Sequence, residues 1–194
     1  MRNEEVIAQD PAPGFFKETM AASKHAKIAL HVMGTLLGAL LFAAALLLAG
    51  TTHLGMPGHI VVFWMPALMA GRALGGYRGS GIFVGTGGAM LANVNRLVID
   101  GDLLGFVLAA VVVEAVMLAA RQNPSVVVAI FVGIAASLGK MIPKVAAVLF
   151  AGGTPHHNRS TLPFMLGAYL LFGVVAGVIY AGGRYVKRKM EAKP

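Results

Sequence analysis

Cysteine is absent from this chain of 194 residues, and charged residues are few. Without cysteine, neither a disulfide framework nor a thiolate metal site can form. Charged residues make up 12% of the chain, whereas a soluble domain carries about 25%. Hydrophobic residues make up 57% of the sequence and occur in long blocks. The composition therefore predicts an integral membrane protein.

The common motifs of soluble enzymes are also missing from the sequence. It contains no GxxxxGK[ST] phosphate loop, no GxSxG and no HExxH. The stretch GSGIFVGTGG, residues 79–88, looks like a dinucleotide loop, but it lies in an apolar segment whose small residues have helical spacing. That context favours helix packing. We therefore expect a protein that is not an enzyme and that holds no cofactor and no metal.

Six apolar segments approach or exceed the ~20 residues with which a helix crosses a bilayer. They cover roughly residues 26–50, 59–75, 79–98, 103–120, 124–150 and 162–183. The fold class predicted from them is an all-α integral membrane protein with a six-helix transmembrane bundle. We expect a cytoplasmic N-terminal tail over residues 1–25, the transmembrane domain over residues 26–184, and a basic cytoplasmic tail over residues 185–194.

The distribution of basic residues predicts the orientation of the bundle. Loops on the cytoplasmic side of a membrane are enriched in lysine and arginine. With both termini cytoplasmic, twelve basic residues lie inside and only Arg96 and Arg159 lie outside. This asymmetry predicts a multi-pass protein of the cell membrane, a prokaryotic inner or plasma membrane. The net charge of +8 is then an orientation signal, and we expect no nucleic-acid partner.

Three ionisable residues within the apolar segments mark the candidate site: Glu114 in the fourth segment, and Lys140 and Lys144 in the fifth. An ionisable side chain inside a bilayer is costly and by default indicates function. One hypothesis is structural: Lys140 pairs with Glu114, while Lys144 extends to the outer interface. The other is that both lysines line a recess open to the outside, which binds a small molecule with an anionic group.

Further polar and aromatic residues are expected at the same level, in the outer half of the bundle. A cluster of this kind is typical of a small-molecule pocket. The lysines would contact the anionic group, aromatic rings would pack on the ligand, and asparagines would supply polar contacts. Beside Lys140, Lys144 and Glu114, the predicted substrate-binding residues are Trp64, Asn93, Asn95, Arg96 and Tyr169.

Small residues recur at every fourth position in three of the segments. Examples are Gly34 and Gly38, Ala45 and Ala49, Gly81 and Gly85, and Gly173 and Gly177. Faces of this kind let two helix backbones approach closely in a membrane. The pattern favours packing within this chain, and docking of a partner membrane protein is the alternative.

The stretch MPALMAGRALGGYRGSGIFVGTGGAML, residues 65–91, resembles the second-to-third helix region of the substrate-binding S components of energy-coupling factor (ECF) vitamin transporters. In both, an apolar helix ends in a glycine-containing turn with a basic residue, and a glycine-rich helix follows. The chain length, the six segments and the predicted cytoplasmic termini also fit that family.

The resemblance implies a membrane-embedded subunit that binds a vitamin or related micronutrient with high affinity in its outer half. Its expected partners are the substrate, the bilayer, a transmembrane T component and two ATPase subunits. In that family, small residues on the first helix dock onto the T component. The matching candidates are Ala39, Ala43, Ala45 and Ala49.

Two other function classes are compatible with the sequence. A self-sufficient small carrier or channel could couple to protons through Glu114. A membrane-embedded enzyme could use Glu114 or the histidines for acid–base chemistry, although no spaced set of ligands supports it. The sequence does not identify the substrate.

Overall fold

The computed structural model describes residues 13–52, 57–94, 103–120, 125–150 and 162–191. Within these ranges every regular element is an α-helix, which confirms the all-α prediction. The described elements are α1 (Pro13–Thr51), α2 (Val61–Gly75), α3 (Ser80–Val94), α4 (Leu103–Ala119), α5 (Val126–Phe150) and α6 (Leu162–Glu191).

Three of these helices are long and apolar enough to cross a membrane. The spans are Lys24–Thr51 in α1, Val126–Ala146 in α5 and Leu162–Met190 in α6. The helices α2, α3 and α4 are apolar but have 15, 15 and 17 residues, or about 22–26 Å against a hydrocarbon core of about 30 Å. Helix length therefore supports a membrane protein with three spans among the described residues, where the sequence predicts six.

The first and last helices extend beyond the predicted transmembrane domain. Helix α1 begins at Pro13 and includes the second half of the predicted N-terminal tail. A proline in the first turn suits a helix start, because its missing N–H has no partner there in any case. Helix α6 continues to Glu191 because residues 184–191 contain neither glycine nor proline. Arg188 and Lys189 in its last turn stabilise the helix end, because their positive charge lies at the negative end of the helix dipole.

Helix α2 is the central element of the bundle. It contacts each of the other five helices, which follow one another around it in the order α1, α3, α4, α5 and α6. The described parts of α1 and α6 do not contact each other, so α2 lies in the gap between the two ends of this arc. Nine of its fifteen residues are buried.

Glycines hold neighbouring helices at close distance, as the small-residue spacing predicts. A Cβ atom added at Gly38 of α1 would lie 2.7 Å from the carbonyl oxygen of Gly71 in α2. One added at Gly173 of α6 would lie 2.8 Å from the carbonyl oxygen of Gly133 in α5. Neither site leaves room for a side chain. The interpretation of these faces as packing within the chain is therefore confirmed at both contacts.

We expect Gly173→Ala to lower the melting temperature in detergent, because the new methyl group would force α5 and α6 apart. Overpacking of this kind costs about 1–3 kcal/mol. The matched control is Gly167→Ala in the same helix, where an added Cβ meets no atom within 4 Å. The melting temperature of the control variant should stay equal or rise slightly, because alanine favours a helix by about 1 kcal/mol over glycine. Equal melting temperatures for both variants would contradict the close contact.

Candidate functional site

The buried charged residues of the described chain, Arg72, Glu114 and Lys140, belong to two clusters, one towards each end of α2. Trp64 and Arg72 belong to different clusters, and they are eight residues apart on this helix. At 1.5 Å per residue the two positions are separated by about 12 Å along the axis. The clusters contain different chemistry and are described in turn.

The first is the aromatic–lysine cluster, formed by Phe42, Trp64, Phe106 and Lys140. The three rings lie edge to face, with centroids 5.3–6.3 Å apart. The Nζ atom of Lys140 lies 4.1 Å from the centroid of Phe106 and 5.7 Å from that of Trp64. Both distances are in the range of cation–π attraction. All three rings are fully buried, and Lys140 is 1% exposed.

Four helices each supply one member of this cluster: α1, α2, α4 and α5. The close approach of α4 to α5 depends on Gly105, where an added Cβ would lie 2.7 Å from the carbonyl oxygen of Lys140. Because α4 and α5 touch there, the Lys140 side chain reaches the ring of Phe106. The sequence pattern predicts Trp64 and Lys140 as site residues. It does not distinguish Phe42 and Phe106, which look like ordinary apolar residues of their segments.

The indole N–H of Trp64 is the unusual feature of the aromatic–lysine cluster. Trp64 is fully buried, and its Nε1 atom has no hydrogen-bond acceptor in the part of the chain that the structure describes. A buried donor without a partner costs about 1–3 kcal/mol. An ammonium group and an indole N–H therefore lie close together among apolar rings. A small molecule with an anionic or hydrogen-bond-accepting group complements this arrangement.

The other predicted substrate-binding residues take different positions. Lys144 is half-buried, one turn beyond Lys140 on α5. Tyr169 is buried, and it packs against Gly58, where an added Cβ would lie 3.0 Å from the ring. Asn93 is exposed near the end of α3 and is not among the buried residues of the aromatic–lysine cluster. Asn95 and Arg96 lie outside the described residues.

The second cluster contains Glu114, and its geometry corrects the predicted pairing with Lys140. The Glu114 carboxylate accepts hydrogen bonds from Nε and Nη2 of Arg72, at 3.1 and 3.2 Å. It also accepts the backbone N–H groups of Gly79 at 2.8 Å and Gly81 at 2.9 Å. Both charged side chains are almost fully buried, with 2% and 4% exposed. The predicted Glu114–Lys140 pair is therefore wrong, because Arg72 occupies this carboxylate.

The turn between α2 and α3 positions these four hydrogen bonds. Gly76 and Gly79 have positive φ angles of 70° and 90°, a conformation that glycine adopts without strain. At Gly81 an added Cβ would lie 2.6 Å from a Glu114 oxygen, so only glycine fits beside the carboxylate. The α2–α3 turn and the first turn of α3 therefore present one backbone donor each to the carboxylate. With four donors bound, Glu114 has a structural role, and its predicted contact with substrate gains no support.

The alanines predicted to dock a T component lie on a face of α1 that the chain itself covers. Ala39, Ala43 and Ala49 are buried, and Ala45 is partly buried against the hydrophobic core. At Gly88 of α3, an added Cβ would lie 2.7 Å from the carbonyl oxygen of Ala39. This face packs against the chain's own helices. Docking of a partner there stays a prediction that the packing does not support.

No family model, no curated protein and no solved structure matches this chain. The resemblance to S components stays a hypothesis carried by residues 65–91. Within the described ranges, no group of three or more histidine, aspartate or glutamate side chains could hold a metal ion.

The Arg72–Glu114 pair should show strong coupling in a double-mutant cycle. Breaking a buried ion pair from one side costs about 3–5 kcal/mol, because the remaining charge stays buried. We expect Arg72→Met and Glu114→Leu each to lower stability strongly, measured by thermal unfolding in detergent. The loss of stability in the double variant should be smaller than the sum of the two single losses by about 0.5–3 kcal/mol. Additive losses would show that the two side chains do not stabilise each other.

Proposed function

We propose that this chain binds a small anionic solute at the aromatic–lysine cluster and serves as the S component of an ECF-type micronutrient uptake transporter. The observation that carries the proposal is the buried indole N–H of Trp64, which has no acceptor among the described residues and lies beside the Lys140 ammonium. A carboxylate or phosphate on the solute would accept this hydrogen bond and attract the ammonium charge. The surrounding rings would pack on its apolar part.

In the proposed topology all six helices span the membrane, with both termini on the cytoplasmic side. The twelve-to-two distribution of basic residues supports this orientation. It places the first turns of α2 and α4 near the outer surface. Phe106 follows the start of α4 by three residues, or about 5 Å along the axis. The solute would therefore reach the aromatic–lysine cluster from the outside, as uptake requires.

The helix–turn–helix formed by residues 65–91 supports the assignment to the S components. This stretch contains most of α2, the glycine turn with buried Arg72, and most of α3. In such a system the chain would capture the solute, while a T component and two ATPase subunits would supply the energy. The alternative carrier coupled to protons through Glu114 gains no support, because that carboxylate already accepts four hydrogen bonds.

We expect Lys140→Met to weaken solute binding by about 10–100-fold, since a hydrogen bond to a charged group is worth about 1.5–3 kcal/mol. The solute would first be identified by mass spectrometry of the small molecules that co-purify with the chain. Its affinity would then be measured by calorimetry. The folded yield should change less than the affinity, because methionine fills a similar volume among the rings.

The matched control is Lys27→Met, which removes an exposed lysine of α1 and should leave binding unchanged. Lys144→Met tests the second ammonium of α5 separately. If Lys140→Met reduced folded yield and binding to the same extent, the lysine would have a structural role only. The absence of any bound small molecule at every stage of purification would also count against the proposal.

Trp64 supplies a second, independent test, because it is the only tryptophan in the chain. Binding next to the indole should change its fluorescence, so the emission spectrum reports occupancy directly. We expect Trp64→Phe to keep the ring packing but remove the N–H donor, which should weaken binding about tenfold. Stability without solute should stay equal or rise, because no buried donor is left without an acceptor. Unchanged affinity would exclude the indole N–H as a contact.

A further inference from the structure

A groove of 640 Å³ lies between α2 and α6, towards the other end of α2 from Trp64. Residues of α2 from Pro66 onwards, Met117 of α4 and residues of α6 from Ile179 to Arg188 form its walls. Among the described residues, no acidic side chain lines it, and none of its lining residues belongs to the aromatic–lysine cluster. Its volume lies within the range of small-molecule sites, about 300–1,000 Å³.

Basic side chains are concentrated at one end of this groove. Arg184, Lys187 and Arg188 all line it. Residues three and four apart share one face of a helix, so α6 presents these three cations together. Arg72, which pairs with Glu114, also lines the groove. The concentration of basic side chains at this end favours an anionic group.

The groove becomes apolar towards the middle of the bundle. There its lining consists of Ile179 from α6 and of Pro66 and Ala70 from α2. The two helices run in the same direction, since Gly58 before α2 lies against Tyr169 near the start of α6. Their apolar stretches therefore lie side by side, and their last turns lie together at the basic end. The groove therefore has one charged end and one apolar end, which complements an amphiphilic ligand.

The groove is accessible from the side of the bundle. The described parts of α1 and α6 do not contact each other, so none of the described helices covers this face of α2. Leu74 is 52% exposed and Ile179 is 46% exposed. At Gly183 an added Cβ would meet no atom within 4 Å, so space is open beside the basic residues. In a bilayer, this opening faces lipid.

We propose that the groove is a binding site for an anionic phospholipid. The phosphate group would lie against Arg184, Lys187 and Arg188, and arginine binds phosphate oxygens through two parallel N–H groups. An acyl chain would lie on Ile179, Ala70 and Pro66. Basic pockets between membrane helices bind anionic headgroups in this way. The site is separate from the aromatic–lysine cluster and does not depend on the proposed solute.

The test is a titration of phosphatidylglycerol into the purified full chain in nonionic detergent, followed by native mass spectrometry. We expect the first phosphatidylglycerol to bind more tightly than phosphatidylcholine. The variant Lys187→Gln with Arg188→Gln should weaken this binding by about 30-fold, the effect of losing two cations near a lipid surface. Both side chains are exposed, so the fold should tolerate the change.

The matched control is Lys24→Gln with Lys27→Gln on α1, which removes the same charge from exposed positions outside the groove. It should keep the wild-type affinity for phosphatidylglycerol. Equal losses in both variants would show general charge attraction and overturn the site. Equal binding of phosphatidylcholine would also overturn it, because the headgroup charge would then contribute nothing. Full displacement of the lipid by inorganic phosphate would assign the groove to a free anion instead.

Discussion

The buried ion pair between Arg72 and Glu114 holds together the end of the bundle where α2 ends and α3 begins. Arg72 comes from α2 and Glu114 from α4. Gly79, before α3, and Gly81, in the first turn of α3, add one backbone donor each. Inside a membrane an unpaired charge or an unsatisfied backbone N–H is costly. Here four hydrogen-bond donors satisfy the carboxylate of Glu114, and the arrangement fixes the relative positions of three helices. Gly81 fits there because the carboxylate fills the space that a side chain would need.

The rest of the bundle depends on close backbone contact rather than on charge. Lipid tails are as apolar as leucine, so membrane helices gain little from burying apolar side chains against each other. Small residues let helices approach closely, as Gly38 does with Gly71 and Gly173 with Gly133. This packing surrounds α2 with the other five helices. Its position explains why one helix contributes to both clusters and to the groove.

Much of the fold could be predicted from the sequence, because hydropathy and small-residue spacing are local signals. They predict the six helices of the described ranges, the packing faces and the position of Lys140 inside the fifth. The pairing of Glu114 could not be predicted in the same way. Arg72 stands near the end of an apolar segment, where a basic residue usually faces the cytoplasm. Only the fold of the α2–α3 turn shows that this arginine points inward and reaches the carboxylate.

The Lys140–Glu114 hypothesis also failed for a geometric reason. The helical rise places Glu114 eight residues beyond Phe106 on α4, about 12 Å along the axis. The Nζ atom of Lys140 lies 4.1 Å from the Phe106 ring, so its side chain extends at the level of that ring. Residue counts along a segment indicate only the depth of a side chain. The direction of each side chain around its helix depends on packing, which no single segment encodes.

The two clusters differ in how their polar groups are satisfied, and this difference assigns their roles. The carboxylate of Glu114 has four donors within the chain, so a ligand there would have to displace existing hydrogen bonds. At the other end, the Trp64 donor has no acceptor among the described residues, and the nearby ammonium faces aromatic rings. An added anion would gain a hydrogen bond and a charge contact without displacing any bond of Trp64. Ligand binding is therefore favoured at the aromatic–lysine cluster, and a structural role is favoured for Arg72 and Glu114.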